Sequence, residues 1–151
     1  MTTTALKDVG FACNCLALRK AARYLTATYD KALAPVGLRA TQFGILQQLS
    51  ACGEMTITSL ADVSAMDRTT MASNLKPLAR EGLLTVEASA ADRRARVVAI
   101  TPEGLERVKA ALPLWRKVQA KFEASFGSDE AAQLRGSLET VLHTGFEPWA
   151  E

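Results

Sequence analysis

The most constraining feature of the chain is the stretch 56–101, in which two short helical patterns are followed directly by two strand-like patterns. The turn between the strand-like patterns reads Asp92-Arg93-Arg94-Ala95-Arg96, with three arginines in five residues. A helix–turn–helix followed by a basic β-hairpin is the layout of a winged helix. That module places one helix in the major groove of DNA and the hairpin tip against the neighbouring backbone or minor groove. The segment therefore predicts a DNA-binding regulator.

Length and composition fit one folded domain. The 151 residues suffice for one core, and the apolar fraction of 48% is that of a globular protein. The net charge of +2 does not indicate nucleic acid by itself, so the local arginine cluster is the informative charge. The predicted fold class is mainly α (α+β), with a single domain over 1–151. It consists of a winged helix-turn-helix module at 41–101 and dimerisation helices at 11–34 and 102–145.

Other classes of protein find little support in the sequence. The N-terminal segment lacks the charged and apolar regions of a secretory signal, and no apolar run approaches the ~18 residues of a membrane span. Three cysteines without paired spacing favour a reducing compartment, so we expect a cytoplasmic protein with no membrane partner. His143 is the single histidine, and nucleotide loops, GxSxG and metal-ligand spacings are missing. We therefore expect no enzyme, no metal site and no cofactor.

Helical periodicity sets the expected boundaries. Apolar residues recur every three or four positions over 11–34 and again from Pro102 onward, with Pro113 as a possible bend and Gly127 before a last helix. Inside the module the patterns predict helices at Thr41–Ser50, Ser59–Val63 (capped by Thr58) and Arg68–Arg80 (capped by Asp67), and strands at Leu83–Ala88 and Val97–Thr101. The flanking stripes exceed what a small module can cover, which indicates a homodimer formed by the terminal helices.

Two motifs carry a family resemblance. They are Asn74-Leu75-Lys76-Pro77-Leu78 with Glu81-Gly82-Leu83, and Asp92-Arg93-Arg94 followed by a β run ending Ile100-Thr101-Pro102-Glu103-Gly104. Both resemble the multiple-antibiotic-resistance regulator (MarR) family, whose pattern is Asp, any residue, Arg, then a β run ending Leu-Thr-x-x-Gly. The resemblance covers essentially the whole chain. It implies a dimeric repressor or activator on a palindromic operator of double-stranded DNA, released by a small ligand or by oxidation. We expect a repressor of nearby genes released by an aromatic or phenolic effector.

The candidate DNA contacts lie on one helix and in the hairpin turn. The polar face of the helix 68–80 offers hydroxyl and cationic side chains for phosphates, base edges and thymine methyls, namely Arg68, Thr69, Thr70, Ser73 and Lys76. In the turn, Arg94 matches the family's minor-groove arginine, and Arg93 and Arg96 are expected on phosphates. We expect Asp92 to pair with Arg94 and thereby to shape the wing.

Cys15 has two interpretations. The N-terminal helix is similar to that of organic-hydroperoxide sensors in the family, with Cys15 on their reactive cysteine and Tyr29 on a supporting tyrosine, while Arg19 and Ala40 replace two further tyrosines. Alternatively, Cys15 lies on the apolar stripe and packs as a small hydrophobe, which is the favoured interpretation. Cys13 and Cys15 cannot bridge within one intact helix, because positions two apart point to nearly opposite sides.

A ligand pocket is the other regulatory route in the family. Candidate lining residues are Tyr29, Phe43, Leu46 and Trp115, with Arg19 or Arg39 available for a carboxylate; the alternative is that the aromatic residues form ordinary core. A winged helix that binds a protein instead of DNA is the remaining alternative function. The arginine cluster at 92–96 argues against it.

Overall fold

The structure, a computed structural model, describes residues 12–150 and is mostly helical with one small sheet. The helices are α1 (Asn14–Leu33), α2 (Ala40–Cys52), α3 (Ile57–Val63), α4 (Arg68–Arg80), α5 (Pro102–Phe126) and α6 (Ser128–Leu142), with a 3₁₀ turn at Ala34–Val36. The strands are β1 (Met55–Thr56), β2 (Leu84–Ala88) and β3 (Arg96–Ile100). The predicted winged-helix fold class is confirmed. Phe11, where the first helix was expected to begin, lies outside the described residues.

The sheet is antiparallel in the order β1-β3-β2. In the β2–β3 hairpin, Leu84 pairs with Ile100 and Ala88 with Arg96, so the loop 89–95 projects beyond the sheet. The two-residue strand β1 pairs Met55 with Val98 and was not predicted, because two residues are too few for a strand pattern. Its pairing ties the start of α3 to the hairpin.

One hydrophobic cluster holds the module together. Side chains from α2, α3 and α4 pack in it with no exposed area, represented by Leu46, Leu60 and Met71. Val98 of the hairpin is equally buried, and Val108 and Ala111 bring the first part of α5 against the same cluster. The core therefore lies inside the winged helix and at the base of α5.

The terminal helices bury little within the single chain. Leu33 is the buried residue of α1, and Ala131 is that of α6. Apolar side chains along both helices are exposed, among them Leu16 (50%) and Leu142 (59%). The predicted apolar stripes are thus present but uncovered.

Two N-caps agree with the sequence and one does not. The Asp67 carboxylate accepts the Thr70 N–H at 2.8 Å at the start of α4, and the Thr101 hydroxyl accepts the Gly104 N–H at 3.0 Å at the start of α5. The prediction that Thr58 caps α3 is wrong: Thr56 caps it and accepts the Ser59 N–H at 3.0 Å. Pairing in β1 holds Thr56 in the extended conformation that an N-cap requires, so the helix begins two residues earlier than predicted.

Candidate nucleic-acid interface

Helix α4 presents a continuous polar face to solvent. Met71, Leu75 and Leu78 are buried in the module and fix the rotation of the helix about its axis. The opposite positions are all exposed, and they are the five predicted contact residues Arg68, Thr69, Thr70, Ser73 and Lys76. The structure therefore brings the predicted helix residues together on one accessible surface.

The first turn of α4 restricts what Thr70 can offer to DNA. The Asp67 carboxylate accepts the Thr70 N–H and also accepts the Thr70 hydroxyl proton at 2.5 Å. The hydrogen bond from the Thr70 side chain is the largest cause that lowers the pKa of Asp67, followed by the bond from the Thr70 backbone. Thr70 is left with its methyl group and its oxygen lone pairs for an outside partner.

The wing loop is shaped by hydrogen bonds to backbone amides. Asp92 Oδ1 accepts the Arg94 N–H at 2.9 Å, and the Asp92 carbonyl accepts the Ala95 N–H at 3.0 Å. Ser89 Oγ accepts the Ala91 N–H at 3.2 Å. This is the Asx-turn geometry by which a short acidic side chain closes a loop.

The expected contact between Asp92 and Arg94 therefore runs through the backbone. Within residues 12–150, none of the ion pairs involves Asp92 or an arginine of the wing. The short Asp92 side chain reaches the backbone amide two residues along the chain. Arg93, Arg94 and Arg96 are exposed, so their charges face solvent.

A cleft joins the wing to the helix–turn–helix. It has a volume of about 220 Å³ and is lined by residues from the starts of α3 and α4 and from the wing, namely Thr56, Ile57, Thr58, Arg68, Asp92, Arg94, Ala95 and Arg96. Three guanidinium groups and a threonine hydroxyl suit a phosphate oxygen. The position of Thr58 beside these arginines was not predicted, because it depends on β1 pairing across the sheet.

Comparisons with known proteins decide the family. A sequence model of the MarR family matches residues 38–95. The transcriptional regulator MosR of M. tuberculosis, in its complex with DNA, is 37% identical with a TM-score of 0.79, and the match covers 87% of this chain and 94% of that one. This chain belongs to the MarR family. The family and fold are those of transcriptional regulators, which are not enzymes.

Two further proteins are similar to this chain, one in sequence and one in fold. The HTH-type transcriptional regulator YwaE of Bacillus subtilis is 27% identical over 129 residues, covering 83% of this chain and 75% of YwaE. Bordetella bronchiseptica BpsR, whose DNA binding is regulated by 6-hydroxynicotinic acid, shares the fold at 23% identity and a TM-score of 0.76. That match covers 86% of this chain and 93% of BpsR.

Two cysteines of this MarR-family chain lie at the start of α1. Cys15 is exposed in the single chain, so whether it packs on a covered stripe, the favoured interpretation, depends on what covers α1 and stays a prediction. Cys13 does not lie inside α1: its backbone is extended, and its sulfur accepts the Leu16 N–H at 3.5 Å as the N-cap. The premise that both cysteines occupy one intact helix is therefore wrong.

The six residues proposed for a ligand pocket fall into separate environments, and one of them, Arg39, is exposed just before α2. Phe43 and Trp115 stack with ring centroids 6.4 Å apart, and Leu46 is fully buried in the same cluster. The Tyr29 hydroxyl donates to Gln119 Oε1 on α5, while Arg19 is exposed on α1. The structure thus brings Phe43, Leu46 and Trp115 together in the core and leaves Arg19 apart from them.

Tyr29 belongs to a polar chain across the terminal helices. Gln119 Nε2 donates to Glu123 Oε1 at 2.9 Å, and Arg135 of α6 donates to the same oxygen at 3.1 Å. Burial is the largest cause that raises the pKa of Tyr29; the Glu123 charge raises it further and Arg135 opposes the change. The chain of contacts links α1, α5 and α6.

None of the helices within residues 12–150 is long and apolar enough to cross a membrane. Nor do those residues contain a group of three or more His, Cys, Asp or Glu side chains placed to hold a metal ion.

Proposed function

We propose that this MarR-family regulator is a homodimeric repressor that binds a palindromic operator and leaves it when a small effector binds. It acts on DNA in the cytoplasm and catalyses no reaction. The observation that carries the proposal is the continuous basic surface from the outer face of α4, through the arginine-lined cleft, to the wing. Such a surface matches a duplex read in its major groove and gripped along its backbone.

Each part of the surface has its own proposed contact. Arg68 reaches guanine edges and the hydroxyl groups of Thr69 and Ser73 reach bases or phosphates, while Lys76 contacts the backbone. Arg94 enters the minor groove from a loop held by Asp92, and Arg93 and Arg96 neutralise phosphates.

The DNA contacts are tested with duplexes selected from random sequence. Arg94→Ala weakens binding to the selected site by roughly 1–3 kcal/mol, whereas Arg116→Ala, which removes an equal charge from exposed α5, leaves it unchanged. Arg93→Ala weakens all duplexes alike and lowers the salt slope by about 1. Unchanged affinity for Arg94→Ala contradicts the wing contact. Absence of salt-dependent binding to any duplex favours the protein-binding winged helix instead.

A second copy of the chain is proposed to cover the terminal helices. An apolar groove of about 1180 Å³ lies between α1, α6 and the segment that follows α6. Its walls include Leu18, Val141, Leu142 and Trp149, which are 38%, 46%, 59% and 56% exposed. An uncovered apolar surface of this extent is typical of an association face, and two-fold pairing presents two copies of α4 to one duplex.

Pairing is tested by mass measurement in solution. Leu142→Glu converts the dimer to monomer at micromolar concentration, whereas Gln47→Glu, which adds an equal charge to an exposed position of α2, leaves the dimer intact. A wild-type protein that remains monomeric at 100-fold higher concentration contradicts this part of the proposal.

The effector is proposed to be an aromatic acid that binds where α1, α2 and α5 meet. Phe43 and Trp115 supply stacking surface at this junction, and Tyr29 supplies a phenol. Arg39 is one candidate cation for the carboxylate; Arg19, which is exposed on α1 apart from the aromatic pair, is the other and requires that α1 moves when the effector binds. Because Phe43 and Trp115 pack against each other, binding requires that their stacking opens. A screen of aromatic carboxylates should release the selected duplex. Arg19→Ala should weaken release, with Arg23→Ala on the same helix as control; equal release by both variants excludes Arg19.

Thiol control is a second candidate: Cys15 is exposed in the single chain, and this candidate requires that the thiol stays accessible when the terminal helices pair. An accessible thiol near cationic Arg19 can be oxidised by peroxide, whereas a buried one is protected. DNA binding is titrated against cumene hydroperoxide in wild type, Cys15→Ser and Cys52→Ser, the last being an exposed cysteine outside α1. Loss in wild type and Cys52→Ser but not in Cys15→Ser supports a sensor. Equal behaviour of all three proteins excludes it.

A further inference from the structure

The first two turns of α5 contact the residues that directly follow α4. The Thr101 hydroxyl donates to the Gly82 carbonyl at 2.6 Å, and the Thr101 N–H donates to the Leu83 carbonyl at 3.1 Å. Gly104 approaches Leu83 so closely that a Cβ built on it would lie 2.0 Å from the Leu83 oxygen. The start of α5 and the residues that directly follow α4 therefore form one tight joint.

Arg107 extends this joint to a third element. Its Nη1 lies 3.7 Å from Oε2 of Glu81, the C-cap of α4, and donates to the Val36 carbonyl at 3.1 Å. Val36 belongs to the 3₁₀ turn between α1 and α2. The Arg107 side chain is 28% exposed, so its charge is partly shielded from water. A cation beside the C-terminus of a helix is also favoured by the helix dipole.

We infer that Arg107 is a positioning residue that fixes the angle between α4 and the terminal helices. It thereby sets the distance between the two copies of α4 in the proposed dimer. The inference rests on the proposed function, because it requires that α1 and α5 take part in the dimer and that α4 binds DNA. Thr101 and Gly104 connect the start of α5 to residues 82 and 83 and to Ile100 of the hairpin. Of the three, Arg107 is the one that also reaches the turn after α1, through the Val36 carbonyl. We expect its loss to keep the fold, because Leu33 and Leu78 still pack in the common core, and to remove the polar contact between the turn after α1 and the end of α4.

The test uses an operator selected by the wild-type protein from random duplexes. The same operator with one base pair inserted between its half-sites, and a scrambled duplex, complete the set. Arg107→Ala lowers affinity for the operator about 5- to 50-fold relative to the scrambled duplex, the range usual for coupling between sites. It also discriminates less against the inserted base pair. Arg107→Lys recovers part of the lost affinity, because an ammonium keeps the positive charge that faces Glu81 but ends on a shorter side chain than Nη1, which makes both contacts.

Two further variants separate positioning from plain stability. Glu81→Gln removes the ion pair and keeps the Val36 contact, so it shows the same pattern with a smaller loss. Lys109→Ala, on an exposed position of the same helix and paired only with Glu106, changes none of the ratios. Melting temperature and dimer mass are measured for every variant.

Each result bears on one idea. The positioning role is overturned if Arg107→Ala keeps the wild-type ratio of affinities for the operator and the scrambled duplex and discriminates equally against the inserted base pair. Equal weakening on every duplex together with a lower melting temperature also overturns it, because that is the signature of a structural contact. A wild-type protein that selects no duplex overturns the proposed function itself, and the positioning role with it.

Discussion

Replacement of Gly104 by alanine tests the joint between α5 and the hairpin most directly. The glycine lies in the first turn of α5, is buried, and would carry its Cβ 2.0 Å from the Leu83 oxygen and 2.7 Å from Ile100 Cγ1. The nearest atom is a backbone carbonyl, which no rotamer change can move away. The family pattern Thr-x-x-Gly thus has a physical reason here: only glycine permits α5 to start against the hairpin.

The size of the effect follows from these contacts. Ordinary van der Waals contact begins near 3.4 Å, so α5 and Leu83 must separate by roughly 1 Å or more. Overpacking of this kind costs ~1–3 kcal/mol. The same movement weakens the two Thr101 hydrogen bonds to residues 82 and 83, each worth ~1 kcal/mol. Alanine regains ~1 kcal/mol of helix propensity, which leaves a net loss of ~2–4 kcal/mol.

Urea denaturation at fixed protein concentration measures the change. Gly104→Ala lowers the midpoint without altering the slope, and lowers the melting temperature by ~5–15 °C. Gly44→Ala is the matched control, because this helical glycine has nothing within 4 Å of a built Cβ, and the change stabilises α2 by ~0.5–1 kcal/mol. A Gly104→Ala protein as stable as wild type refutes the reasoning.

Three further predictions concern capping and pH, each checked by the free energy of unfolding. Thr56→Val removes the cap of α3 and costs ~1 kcal/mol, while Thr58→Val, two residues into the helix, changes stability by less than ~0.5 kcal/mol; the reverse order contradicts the cap assignment. Asp67 has a lowered pKa, so it stabilises the fold fully above its ordinary pKa near ~4, and this contribution is lost as pH falls through the lowered value. In Asp67→Asn the free energy of unfolding should therefore fall less steeply with acidification than in wild type. Tyr29 has a raised pKa, so its contribution to stability is complete below the ordinary tyrosine pKa of ~10 and is lost as pH rises through the raised value. If the free energy of unfolding falls as steeply at alkaline pH in Tyr29→Phe as in wild type, this prediction is wrong.

Features encoded by local chemistry were predictable from the sequence. The helix Arg68–Arg80 with its Asp67 cap was found at the predicted residues, because an N-cap acid and a terminal glycine mark both ends within a few positions. The hairpin and the start of α5 at Thr101-Pro102 followed for the same reason. These elements suffice for the winged-helix class.

Features that depend on distant residues were not predictable. The strand β1 exists because Met55 finds Val98 across the sheet, and the cap of α3 moves with it. The sequence marks Asp92 as a wing residue but does not say that its partner is the Arg94 amide, since that choice depends on the loop conformation. Exposure of Cys15 could not be predicted either: an apolar stripe shows that a face seeks cover, and the single chain leaves that face open.

The distribution of buried side chains suggests how regulation reaches the DNA surface. The core lies mainly in the module, with Leu33 of α1 and Val108 and Ala111 of α5 packed into it. Helices α1 and α6 each bury one residue within the single chain, so in the proposed dimer they would gain most of their packing from the partner. Thr101, Gly104 and Arg107 connect α5 to the residues at the end of α4. In the proposed dimer, a change in how the terminal helices pair would therefore also change the placement of α4. An effector held among those helices can thus release DNA without touching a base contact. Linkage then requires that an effector lowering DNA affinity by a given factor bind the DNA complex more weakly than the free protein by the same factor.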